Sequence, residues 1–81
     1  MTYPKGERDI KIVVGENITR YWEQSESEMT FTDFTDQCGI SNTTYLREIM
    51  CGEVNITINR LQKIASVLKV STIDLIEDWN D

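Results

Sequence analysis

The sequence has no histidine, one proline and only four glycines, all of them within the first 52 residues. Lack of histidine removes the side chain best suited to proton transfer near neutral pH. No nucleophile, paired-acid or phosphate-loop spacing replaces it, so the reading is of a protein that is not an enzyme. Scarce proline and glycine argue for helices. Cys38 and Cys51 are the only cysteines. A four-ligand zinc site would need carboxylates or a second chain beside them, so neither a metal nor another cofactor is expected. Both fall where a helix would end, and the expectation is of small, part-buried apolar residues in a reducing compartment. No apolar run approaches the roughly 20 residues that span a bilayer. The start "MTYPKGERD" lacks the apolar stretch of a signal peptide, and the expectation is of a cytoplasmic protein without a membrane segment. The asparagine sequons at Asn17, Asn42 and Asn55 therefore carry no weight as glycosylation sites. Basic residues are also few: 8 lysines and arginines stand against 14 acids, a formal charge of −6.

What is present is a globular composition, with 40% apolar and 27% charged residues, enough to fold. A chain of 81 residues supports one hydrophobic core, so residues 1–81 are read as a single domain.

The pattern predicts five helices. In "ERDIKIVVGENITRYWEQ", Ile10, Val14, Ile18 and Tyr21 recur at helical spacing, with Val13 and Trp22 widening the stripe and Gly15 interrupting it. The polar, acidic "SESE" follows. Thr30 and Asp33 then have capping-box spacing before a short helix that Gly39 ends. From Asn42 to Cys51, Tyr45, Leu46, Ile49 and Met50 gather on one face, leaving Thr43, Thr44, Arg47, Glu48 and Cys51 on the other. Gly52 ends this third helix. Thr57 caps a fourth, with Ile58, Leu61, Ile64, Ala65 and Leu68 inward, and Ser71 with Asp74 boxes the start of a fifth.

The segments "MTFTDFTDQCGIS", "TYLREIMCGEVN" and "NRLQKIASVLKVSTIDLI" resemble the helix-turn-helix domains of the Cro and phage-repressor type. With "GENITRYW" in place of the first helix, the resemblance spans residues 10 to 77. It implies an all-α, five-helix, lambda-repressor-like DNA-binding domain, with the helix-turn-helix at about 30–51 and a dimerisation element at about 67–79. It further implies that the third helix lies in the major groove of double-stranded operator DNA, as one half of a homodimer. Carried over by position, Thr43, Thr44 and Arg47 face the bases, and Asn55 and Thr57 approach phosphate; Asn42 is a further candidate DNA contact, and Lys63, on the exposed side of the fourth helix, is a candidate phosphate contact. These residue types suit those roles. Threonine exchanges hydrogen bonds with base edges and offers a methyl to thymine, and arginine binds guanine O6 and N7 together.

The sequence departs from the family pattern in three places. Phe31 stands where a DNA-contacting glutamine is usual. The turn "SNTTYL" is one residue longer, which puts the third helix's start at Asn42 or Thr43. The connector "EQSESEM" is longer and more acidic.

Charge distribution matters because DNA affinity rests on lysine and arginine neutralising phosphates. The acids Glu23, Glu26, Glu28, Asp74, Glu77, Asp78 and Asp81 sit in two segments without bases, whereas residues 39–73 carry four bases against two acids. Two functions remain open: a sequence-specific transcriptional regulator without a small-molecule ligand, or an acidic protein-interaction module, antitoxin-like or antirepressor-like. For assembly, Val67, Leu75 and Trp79 are expected at a homodimer interface, because the helical wheel leaves them without a place in one core.

Overall fold

The computed structural model describes residues 8–25 and 29–78. Glu26, Glu28, Trp79 and Asp81, all named above, lie outside the described residues. Among the described residues there are five helices and no strand: α1 (Ile10–Ser25), α2 (Phe31–Gln37), α3 (Thr43–Met50), α4 (Ile58–Leu68) and α5 (Thr72–Ile76). None is long and apolar enough to cross a membrane.

Side-chain oxygens start the helices. Thr30, Asn42, Thr57 and Ser71 accept from the backbone N–H three residues on, satisfying donors that a helix start leaves unpaired. Only Ser71 and Asp74 complete a reciprocal capping box; Thr30 makes its half alone. Asn42 as N-cap fixes the start of α3 at Thr43. Gly39 and Gly52 end α2 and α3 with φ of 74° and 76°, a backbone region open to glycine. Lys69 adopts the same left-handed conformation after α4, at φ 63°.

Helix α1 is the spine against which α3, α4 and α5 pack, while α2 packs on α3. Its inward stripe is Val14, Ile18 and Trp22, joined in the core by Phe34, Leu46, Ile49, Ile64 and Leu75. Gly15 is no defect in this helix. A Cβ there would stand 2.5 Å from the Met50 carbonyl oxygen, so the glycine lets α3 cross α1 closely. Asn17 is the polar member of the buried face. Its Nδ2 donates to the carbonyls of Leu75 at 2.9 Å and Glu77 at 2.8 Å, which fastens the end of α5 to α1. Arg8 extends the fastening, donating to both Asp78 carboxylate oxygens at 2.8 and 2.9 Å and to Glu16. These contacts hold the Arg8 guanidinium even more firmly protonated, the Asp78 hydrogen bond most of all.

Four expectations are corrected. Leu75 is fully buried, at 0% exposure, while Ile73 is 60% exposed. Because α5 has only five residues and its Leu75 and Glu77 carbonyls are held by Asn17, Leu75 turns into the core and has no surface for a partner. Ile58 is not inward: as the first residue of α4, outside the packed turns, it is 81% exposed. Ile10, likewise the first residue of α1, is 54% exposed. The two cysteines also differ, Cys38 being buried and Cys51 exposed.

Candidate nucleic-acid interface

The turn between α2 and α3 is built by its own backbone. Beyond Gly39, the Ile40 N–H reaches back to the Thr35 carbonyl at 3.1 Å, and Ile40 is buried in the core. Asn42 then caps α3 by accepting from the Tyr45 N–H at 2.8 Å, which leaves its amide nitrogen as the donor to offer a ligand. At the far end, the Glu53 N–H bonds the Glu48 carbonyl at 3.0 Å, closing the helix in a Schellman arrangement.

Between these caps α3 has two faces. Leu46 and Ile49 are buried, with Tyr45 and Met50 partly covered beside them. On the other side Thr44 and Arg47 are exposed and Thr43 is half-buried, the three falling within about 100° around the helix, while Asn42 is exposed at its N-terminal end. That surface offers hydroxyl, amide and guanidinium groups at i, i+3 and i+4 spacing, an arrangement suited to base edges in a groove.

The remaining candidates lie elsewhere. Asn55 and Thr57 are exposed in the α3–α4 connection, off the α3 face. The Thr57 hydroxyl oxygen is engaged in capping, accepting from the Arg60 N–H at 3.1 Å. Asn55 borders an apolar cavity with Ile10, Lys11 and Ile58. Lys63 is exposed on α4. Its charge and that of Arg60 act on the Cys38 thiol at the end of α2, favouring the thiolate. Even so, burial outweighs these cations and pushes the Cys38 thiol up to about 12. Of the interface residues proposed from sequence, Val67 is partly buried against the core.

Two contacts were not visible in the sequence. The Arg47 guanidinium carbon lies 4.5 Å from the centroid of the Phe31 ring, over its face, and that of Arg60 lies 5.4 Å from the Tyr45 centroid. Both fall in the range of cation–π attraction. Phe31 is held in turn by Trp22, edge to face at 5.5 Å, and Trp22 stacks on Phe34 at 4.8 Å. Phenylalanine at the start of α2 is therefore no mere loss of a hydrogen bond, because it is the platform on which the exposed arginine of α3 rests.

The described residues form an all-α helix-turn-helix domain of five helices. A crystal structure of a hypothetical transcription factor, NHTF, from Neisseria is similar in fold, with a TM-score of 0.75 at 21% sequence identity, covering 96% of this chain and 90% of that one. No family model and no curated protein matches the chain.

Proposed function

We propose that this chain is a sequence-specific DNA-binding regulator of transcription that acts as a homodimer on an operator, without a cofactor or small-molecule ligand. The observation that carries the reading is the outward face of α3: Thr44 and Arg47 are exposed and Thr43 half-buried on one side, with Asn42 exposed at the N-cap, while the opposite face is seated in the core and α3 ends against Gly15. Arg60 and Lys63 on α4 supply the adjoining positive charge that phosphate contacts require. The acids Asp74, Glu77 and Asp78 lie outside α3 and α4, and screening over about 8 Å at physiological salt limits their repulsion, whereas Glu23 borders the same cleft as Arg47. Similarity to a hypothetical transcription factor agrees with this reading. Of the functions left open by the sequence, the acidic interaction module leaves the hydroxyl, amide and guanidinium groups of that face without a use.

Selection of bound fragments from random duplex DNA, repeated at two salt concentrations, tests the proposal. The expected result is one two-fold symmetric sequence, bound more weakly at higher salt. Failure to enrich any duplex, together with capture of a basic protein in the absence of DNA, would assign the chain to protein interaction instead.

A further inference from the structure

Building on the DNA-binding reading, we infer that Phe31 and Arg47 read two neighbouring base pairs as one unit, Arg47 a guanine and Phe31 the C5 methyl of a thymine stacked next to it. A guanidinium donating to guanine O6 and N7 together is coplanar with that base, because donors and acceptors share a plane. The Arg47 guanidinium carbon lies over the face of the Phe31 ring, 4.5 Å from its centroid, a position that a guanidinium stacked parallel on the ring would occupy. Successive bases on one strand rise by about 3.4 Å, so a ring stacked in this way stands at the level of the adjoining base pair. There the major-groove edge presents donors and acceptors that phenylalanine cannot pair, and one apolar group, the thymine methyl.

The surroundings of Phe31 suit a fixed reading element. Its ring is edge-on to Trp22 and to Phe34, at centroid distances of 5.5 and 6.1 Å. Its carbonyl accepts from the Thr35 hydroxyl at 2.8 Å, and Phe31 is half-buried. Phe31 and Arg47 together border an open cleft of about 490 Å³ between α1, α2 and α3, with Glu23 on its α1 wall, so the base edges meet the pair on the side away from Glu23. Glutamine in this place would favour a hydrogen-bonding partner, whereas the aromatic ring makes the level above the guanine selective for a methyl.

The test begins with the duplex selected by the unaltered protein. Arg47→Ala locates the guanine, as the base pair at which preference is lost. Each thymine next to that guanine is then replaced by deoxyuridine, which removes only the methyl. At one such thymine the replacement should weaken binding about fourfold for each half-site altered, the value of one buried methyl. The same replacement should have no effect on Phe31→Ala or, should that variant fail to fold, on Phe31→Gln. A merely structural Phe31 would lower affinity for all duplexes without altering the response to deoxyuridine. The inference is overturned if no thymine adjoins the guanine, if the unaltered protein ignores the methyl, or if the response persists in the Phe31 variants. Absence of binding to any duplex would remove the DNA-binding reading itself, an outcome distinct from methyl indifference in a protein that binds.

Discussion

The carbonyl oxygen of Met50, in the last turn of α3, lies where a Cβ on Gly15 of α1 would approach it to 2.5 Å. The same Cβ would stand 2.8 Å from the Ile49 carbonyl oxygen. Both obstacles are backbone, which cannot step aside as a flexible side chain would. Gly15→Ala should therefore push α3 away from α1 and cost about 1–3 kcal/mol of stability, as overpacking does, despite alanine's better helix propensity. Thermal or denaturant unfolding measures this. A stability equal to or above that of the unaltered protein would show that the close crossing does not constrain α3.

On the α3 face, Arg47→Ala should cost about 1–3 kcal/mol of specific binding and relax preference at one base pair per half-site. Lys63→Ala, on the exposed side of α4, should weaken binding to all sequences alike and reduce the salt slope by about one. Quantitative binding to the selected duplex and to scrambled ones, over a salt series, separates these effects. Altered sequence preference in the Lys63 variant would contradict a phosphate role.

Much of this arrangement was legible in the sequence where periodicity ran long enough. The 11 residues of α4 placed Leu61, Ile64, Ala65 and Leu68 inward correctly, and capping residues marked the starts of α2 to α5. Helix ends resisted the same logic. Ile10 and Ile58 have apolar identity and correct phase, yet a first turn at the edge of the bundle is covered only in part, which leaves them 54% and 81% exposed. For α5, five residues are too few for a wheel, and the orientation of Leu75 follows from the packing of α5 on α1 and α4 and from Asn17, 58 residues earlier in the chain. A polar residue on the inward stripe of α1 was the available signal for that latch. The pairing of Phe31 with Arg47 had no local signal, because it depends on how two helices meet.

Cys38 supplies a prediction in pH. Burial raises its thiol from the ordinary 9.0 to about 12 in the folded protein. Folding thus favours the protonated form, and the contribution is fully present below pH 9, where both states keep the proton. Between about 9 and about 12 the unfolded chain loses its proton while the folded chain retains it, so stability should fall by about 1.4 kcal/mol per pH unit. Denaturation of Cys38→Ala across the same range should show a shallower decline than the unaltered protein. Identical slopes would mean that the Cys38 thiol is not held protonated. Native alkylation at pH 8 should correspondingly modify exposed Cys51 and spare Cys38.

The last prediction concerns the homodimer. Two half-sites about 34–36 Å apart call for two copies of the domain. With Leu75 committed to its own core, the apolar surface left for a partner includes Ile10, Ile58 and Ile76, which line one apolar cavity of about 200 Å³ with Val14, Ile56 and Leu61. Exposed apolar groups gathered in this way are a common mark of an interaction surface. Ile58 is the informative position, because at 81% exposure it contributes little to the fold and its replacement should leave the domain intact. Ile58→Glu should stay folded by circular dichroism, sediment as a monomer at micromolar concentration and bind the operator weakly, while the unaltered protein sediments as a dimer. Trp79→Ala, measured beside it, separates two assemblies. If only the Trp79 variant dissociates, the contact is made by the segment following Asp78 and not by the isoleucines. If both variants remain dimeric and bind as tightly as before, neither surface joins the two copies. A monomeric unaltered protein that still selects a two-fold symmetric duplex would place the pairing of copies on the DNA itself.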